Sequence, residues 1–418
     1  MRKIWLLILG AFTLGLDAYV MAGLLPVVAR DLGTTVSLAG QMVTVFTLAY
    51  AVSAPLVAGL MSGVRPRMLI IASLGVFTLG NGLTALAPSL AVLLASRAVA
   101  GAGAGVYSAL STAAAASLVP EERRGRALAL VMGGMSSGTV LGVPLGVLLA
   151  ESAGWRATMW AVTGLGAITL AGLAVWLTPV PADPPVPVRA RLAALTDRAV
   201  VPVVGVSFLA AVASLGLYTY LAPVLSSAGG VEEAGVAPYL WAWGIGGILG
   251  SVVAGPLVDR TGRVITLVAG VLLALVLAEA ALPLLGAAAF PALVLWGAAG
   301  WALQVPQQHR LLALRAERGT VALALNNSAL YLGSAVGSGA AGLALSMGLP
   351  ASHLPWAAAA VAGAGLVLHL AGARSRHLAG ARARHLSGAR SRREAGATAA
   401  APDEARGEAA DKAGCGAA

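Results

Sequence analysis

The sequence predicts an all-α integral membrane protein with twelve transmembrane helices in two pseudo-symmetric six-helix bundles. Three observations lead there. The 418 residues are 58% hydrophobic and only 11% charged, against about 25% charged in an average soluble domain. Apolar runs near the roughly 20 residues that cross a ~30 Å hydrocarbon core as a helix recur along the chain. Basic residues gather in every second gap between those runs.

The runs, in order, are residues 4–29, 38–60, 68–88, 89–118, 127–150, 156–178, 200–224, 236–258, 264–285, 289–308, 320–345 and 353–372. The first follows Met1-Arg2-Lys3 but is too long for a secretory signal and has no convincing cleavage site, so it counts as a span. Arg2, Lys3, Arg65, Arg67, Arg123, Arg124, Arg126, Arg189, Arg191, Arg198, Arg260, Arg263, Arg310, Arg315 and Arg318 fall in alternate gaps, and the opposite gaps hold only Arg30 and Arg156. The positive-inside rule then places both termini in the cytoplasm. A miscount by one helix would scramble that alternation.

"TPVPADPPVPVRARLAALTDR", Thr178 to Arg198, is the longest internal break and reads as a cytoplasmic linker. The expected organisation is a bundle over 1–178, a linker over 179–199, a second bundle over 200–372 and a tail over 373–418. The halves echo each other: "GLMSGVRPRM" from Gly59 answers "GPLVDRTGRV" from Gly255, and "AGLLPV" near Pro26 answers "TYLAPV" near Pro223, 196 and 197 residues apart. Repeats of this kind place a substrate site near the midplane between them. The tail carries three near-copies of an octapeptide, "GARSRHLA", "GARARHLS" and "GARSRREA". Few large apolar residues and many charges are the composition of a disordered segment, suited to resting on anionic inner-leaflet lipid. The formal charge of +10 therefore reports topology and the tail. No nucleic-acid partner is expected, since aromatic residues do not interleave the basic ones. The single cysteine, Cys415, excludes an intrachain disulfide.

Asp17, Arg97 and Glu279 are acidic or arginine residues that stand inside spans rather than at their first or last residue. A mid-helix charge costs about 2.5–3.5 kcal/mol on insertion scales, so such groups face a cavity or a partner. Asp17 lies roughly 20 Å along the first span from Ile4 at 1.5 Å per residue, near the midplane, with Thr13 one turn before it. It is a carboxylate placed to take up and release protons. Arg97 suits a counter-ion. Glu279, in the outer part of the ninth span, reads either as a group snorkelling to the interface or as an alternative proton site.

Motifs add detail. "GPLVDRTGR" (Gly255, Asp259, Arg260, Gly262, Arg263) is a charged loop, and its first copy keeps Arg67 but has Gly63 and Pro66 in place of an acid and a glycine. "LLASRAVAGAGAGVYSALST" sets Arg97, Gly101, Gly105, Ser108 and Thr112 at helical spacing, and "GGMSSGTVLGVPLG" sets Gly134, Gly138, Gly142 and Gly146 at every fourth residue before and after Pro144. On these residues, the chain from 1 to about 372 resembles the major facilitator superfamily and its twelve-helix drug:proton antiporter branch. The split Gly142-Val143-Pro144, the altered first loop and "GLLP" resemble chloramphenicol-resistance exporters of actinobacteria and related sugar-efflux permeases. That resemblance implies a gating role for Arg67, Asp259, Arg260, Gly262 and Arg263, an antiporter helix around Gly138, Gly142, Pro144 and Gly146, and proton coupling at Asp17 tuned by Arg97.

Plainer roles compete. A glycine face serves close helix packing, and Pro144 kinks its helix. Asn326, Asn327, Ser328, Tyr331 and Ser334, with Gln304, suit interhelical hydrogen bonding as well as substrate contact. Gln307, Gln308 and His309 read as solvated. Trp155, Trp160, Trp241, Trp243 and Trp356 fit an interfacial belt, and Trp301 lies deeper. The residues expected to line a substrate cavity are Thr13, Met21, Gly101, Ser108, Trp301, Gln304, Asn327 and Tyr331. No metal, phosphate-loop or nucleophile motif is present, so neither an enzyme nor a cofactor is expected. The expected function is export of a small organic compound, an antibiotic such as chloramphenicol, against protons by a monomer in the plasma membrane, with a sugar or metabolite permease as the alternative.

Overall fold

The computed structural model describes residues 4–60, 64–120, 123–180, 196–229, 231, 235–285, 288–314 and 319–374. Most of the expected linker, the acidic pair Glu232 and Glu233, and the octapeptide tail beyond Arg374 lie outside the described residues. Among those described there is no strand, and twelve helical spans follow one another. They are α1 (Ile4–Asp31), α2 (Val36–Leu60), α3 (Pro66–Ala85), α4 (Leu90–Ser117), α5 (Arg124–Ala153), α6 (Trp155–Trp176), α7 (Val201–Thr219 as α7a, Leu221–Gly229 as α7b), α8 (Ala237–Thr261), α9 (Val264–Leu285), α10 (Phe290–Ala302 as α10a, Gln304–Leu314 as α10b), α11 (Gly319–Ser346) and α12 (Ala351–Arg374). Eleven are individually long and apolar enough to cross a membrane; the other span is the interrupted α10.

Prolines explain the interruptions, which hydropathy does not reveal. Pro223 cannot donate to the carbonyl four residues back, Thr219, where α7a ends. Pro306 has the same relation to Ala302, the end of α10a. In α5 the corresponding strain before Pro144 is absorbed by a π-helical turn, Gly138–Gly142, since a proline ring collides with the i−4 carbonyl and a wider turn makes room.

The chain up to His369 forms one compact unit; of the unit from Leu370 onward, the described part is helical. Packing repeats in order: α1 lies on α5 and α7a on α11, α2 on α4 and α8 on α10a, α3 on α4 and α9 on α10a. Further seams join α2 to α11 and α5 to α8. The α1–α5 seam follows from the glycine spacing. Gly134, Gly138, Gly142 and Gly146 meet Ile8, Phe12, Leu16 and Val20 in turn, four residues per step on both helices. A methyl at Gly138 would run into the Phe12 carbonyl oxygen. Small residues let the backbones close and gain the dispersion contacts that hold helices together in lipid.

Candidate functional site

Pinning one face of α1 against α5 turns its other face toward α3 and α4, and Asp17 is on that face. The carboxylate is fully buried. Arg97 Nη1 of α4 donates to Asp17 Oδ1 at 2.8 Å and to Asn81 Oδ1 of α3 at 3.2 Å. Asn81 Nδ2 donates to Asp17 Oδ2 at 3.4 Å and to the Phe77 carbonyl at 3.1 Å. The guanidinium lies over the Phe46 ring of α2, 4.2 Å from its centroid, and its Nε has no partner. Four helices thus meet on one ion pair. Burial of two charges is costly in itself, and the hydrogen bonds and ring face around the pair offset that cost.

Two residues further along α1, Tyr19 points into an aromatic group. Its ring is 5.7 Å from Tyr218 (α7a) and 5.9 Å from Trp243 (α8); Trp243 stands 4.3 Å from Tyr218, 6.2 Å from Trp296 and 6.5 Å from Trp301. The Trp243 indole N–H is buried without an acceptor. Along the α2–α11 seam, Ser37 donates to the Gly342 carbonyl at 2.5 Å, Thr44 and Ser338 share a hydrogen bond of 2.9 Å, and Tyr50 stacks on Tyr331 at 3.5 Å between centroids. The Tyr50 hydroxyl lies among Ser108, Asn327 and Tyr331 with no well-formed hydrogen bond.

The expected cavity residues are therefore distributed. Ser108, Asn327 and Tyr331 gather around Tyr50. Trp301 joins the aromatic group, with Gln304 one turn beyond it in α10b and half-buried. Gly101 packs against the Phe46 carbonyl. Met21 is buried in the core, and the Thr13 hydroxyl bonds the Leu9 carbonyl of its own helix. Arg67 bonds the Ala174 carbonyl at 2.8 Å. Asp259, Arg260 and Arg263 are exposed around Gly262, whose φ of 59° ends α8 in a left-handed cap that glycine adopts without a Cβ clash. Pro144 is buried beside the π turn. A cavity of about 310 Å³ between α8, α9 and α10, lined by apolar side chains such as Leu249, Val253 and Leu267, takes in none of these residues.

Three sequence expectations are corrected. Gln307 is not solvated: it is fully buried, and its Nε2 donates to the Val203 carbonyl at 2.9 Å and to Ser207 Oγ at 3.2 Å. The break at Leu303 turns α10b so that this amide faces α7a. Glu279 does not snorkel; it is 0% exposed, on the inward ridge of α9 with Leu275, Ala278 and Leu282. Trp243 leaves the interfacial belt, being 1% exposed within the aromatic group. Trp155, 2% exposed, stays at the start of α6 and donates its indole N–H to Asp31 at the end of α1, and Trp160, Trp241 and Trp356 are 42–48% exposed. Asn81, Tyr50, Tyr218 and Trp296 were not anticipated. Asn81 was legible, as an amide inside an apolar span needs a partner. The aromatics carry no such signal.

Comparison with known proteins agrees with this architecture. Residues 7–338 match the family model of the Major Facilitator Superfamily. The inner membrane transport protein YdhP of Escherichia coli (strain K12) is 34% identical over 373 residues, covering 88% of this chain and 95% of that protein. A chloramphenicol resistance protein of Streptomyces lividans is 34% identical over 277 residues, 65% of this chain and 70% of its own. Among solved structures, the human organic anion transporter MFSD10 (TETRAN) superposes with a TM-score of 0.66 at 20% identity, covering 88% of this chain and 99% of its own, and shares the fold. With twelve spans, a repeated packing order and these matches, the chain belongs to the major facilitator superfamily of membrane transporters.

Proposed function

We propose that this transporter exports a small organic compound, with an antibiotic such as chloramphenicol as the first candidate, in exchange for protons. The observation that carries the reading is the Asp17–Arg97–Asn81 cluster: a buried carboxylate near the middle of α1, held by one cation and one amide. Asp17 binds and releases the coupling proton. Arg97 sets how firmly it does so by competing, as a fixed positive charge, for the same oxygen. The similarity to a chloramphenicol resistance protein supports the substrate. The driving force suffices: one charge moving through 100 mV releases about 2.3 kcal/mol, and each pH unit adds about 1.4.

Both termini are cytoplasmic in this reading, and residues 1–178 and 200–372 act as the two moving halves of a monomer. The Ser37–Gly342 and Thr44–Ser338 contacts then close the outer side, and release requires that seam to part. Arg67 and the Asp259–Arg263 loop hold gating states at the inner side. Ser108, Asn327, Tyr331, Trp301 and Gln304 contact the substrate.

The test is substrate-induced proton flux in proteoliposomes carrying wild type or Asp17→Asn. The asparagine keeps the shape and part of the hydrogen bonding but has no titratable proton. Loss of flux with substrate binding retained is expected; wild-type flux would remove Asp17 from the coupling role. Efflux of labelled chloramphenicol against labelled arabinose from loaded cells separates antibiotic export from sugar export.

A further inference from the structure

Among the described residues two carboxylates are fully buried within spans, Asp17 and Glu279, and they are treated in opposite ways. Asp17 has Arg97 and Asn81. Neither oxygen of Glu279 has a hydrogen-bond partner. Glu279 is not at a helix end: six residues separate it from Leu285, roughly 9 Å at 1.5 Å per residue, and it stands on the buried ridge of α9.

The internal repeat shows which position this is. Gly101 of α4 meets the Phe46 carbonyl of α2, and Gly297 of α10a meets the Trp243 carbonyl of α8; the members of these pairs lie 196 and 197 residues apart. At the same spacing, within three residues, Ser214 answers Asp17, Trp296 answers Arg97 and Glu279 answers Asn81. The bond between the fourth and first helices of the repeat is present in both places. Arg97 donates to Asp17 at 2.8 Å, and Trp296 Nε1 donates to Ser214 Oγ at 2.7 Å. In the second copy that bond is neutral, and the acid stands instead on the third helix of the repeat.

The surroundings bring no cation to it. Two of the segments packed on α9, α10a and α7b, contain no charged residue. The charged and titratable groups of α8 and α10b (Asp259, Arg260, His309 and Arg310) stand at their far ends, near Val264, and His369 of α12 bonds the Ile265 carbonyl there. At the level of Glu279 the titratable side chains on packed elements are the phenols of Tyr218 (α7a) and Tyr239 (α8) and, in the antiparallel register that the His369–Ile265 contact sets, the imidazole of His353 at the start of α12. That imidazole is exposed, whereas Glu279 is buried and has no hydrogen-bond partner. An anion buried without a cation or a donor is strongly disfavoured, whereas the neutral acid needs far less.

We propose that Glu279 is a second proton-binding site, occupied in this conformation and emptied when water reaches α9 as the halves part, so that each substrate exchanges for two protons, one on Asp17 and one on Glu279. This rests on the proton-coupled reading above, and the test separates the two. Infrared spectroscopy of the purified protein at neutral pH, with no substrate, reports the carbonyl stretch of protonated carboxylic acids. Glu279→Gln, nearly isosteric with the neutral acid and so compatible with folding, should abolish one such band, and Asp17→Asn should leave that band in place. In proteoliposomes, the protons moved per substrate should fall from two to one in Glu279→Gln and return to two in Glu279→Asp. A spectrum unchanged by Glu279→Gln would overturn the proposal, as would a wild-type ratio kept by that variant. Wild type moving no protons would instead sink the coupling reading, leaving the infrared band to decide whether Glu279 holds a proton.

Discussion

Removing the cation of the Asp17–Arg97 pair alone should cost far more than removing both charges together. In Arg97→Met, Asp17 loses its 2.8 Å charged donor and keeps only the 3.4 Å contact from Asn81. Breaking a buried pair on one side costs about 3–5 kcal/mol, since the remaining charge stays in low dielectric. In Asp17→Asn, Arg97 keeps the Asn81 oxygen at 3.2 Å and the Phe46 ring at 4.2 Å, so the loss is nearer the 1.5–3 kcal/mol of one charged hydrogen bond. The double variant carries no charge at this site, and its methionine fills much of the vacated volume, so about 1–2 kcal/mol is expected. The single losses together then exceed the double loss by about 2.5–7 kcal/mol, which is the coupling energy of the pair. The assay is reversible unfolding in mixed detergent–lipid micelles, followed by tryptophan fluorescence for all four proteins. Additivity of the single losses to within about 0.5 kcal/mol would refute the reasoning, because it would mean the two side chains do not interact in the folded protein.

Other consequences follow from the same structure. Gly138→Val should sharply lower the yield of folded protein, measured by monodisperse elution in detergent, because its side chain meets the Phe12 carbonyl, whereas Gly133→Val, with nothing within 4 Å, should elute as wild type. Gln307→Leu leaves the Val203 carbonyl and Ser207 without their donor and should destabilise by about 1–3 kcal/mol in the same unfolding assay; a neutral result would mean that water replaces the amide. Reporter fusions after Ala190 and near Gly230 should give cytoplasmic and external signals respectively. A cytoplasmic signal at Gly230 would break the twelve-span topology, and the absence of basic residues in that gap makes it a sharp test.

The span count and the α-helical class needed only the sequence, because hydropathy over twenty residues and the identity of gap residues are local properties that lipid reads one helix at a time. The glycine period in α5 is equally local, and it marked a packing face without saying what packs there. That the face meets Ile8, Phe12, Leu16 and Val20, and so turns Asp17 toward Arg97 and Asn81, depends on which helices are neighbours in three dimensions. Asp17 and Arg97 stood out singly as costly charges; their 2.8 Å bond joins residues 80 positions apart. Gln307 and Glu279 went the other way. Both looked peripheral by distance from a helix end, and both are buried, because a helix break and a ridge direction decide which way a side chain faces, and neither is written in hydropathy. The tertiary structure also decided that the second half keeps a neutral Trp296–Ser214 bond while its acid sits apart. Local chemistry names the charges, and only the packing assigns their partners.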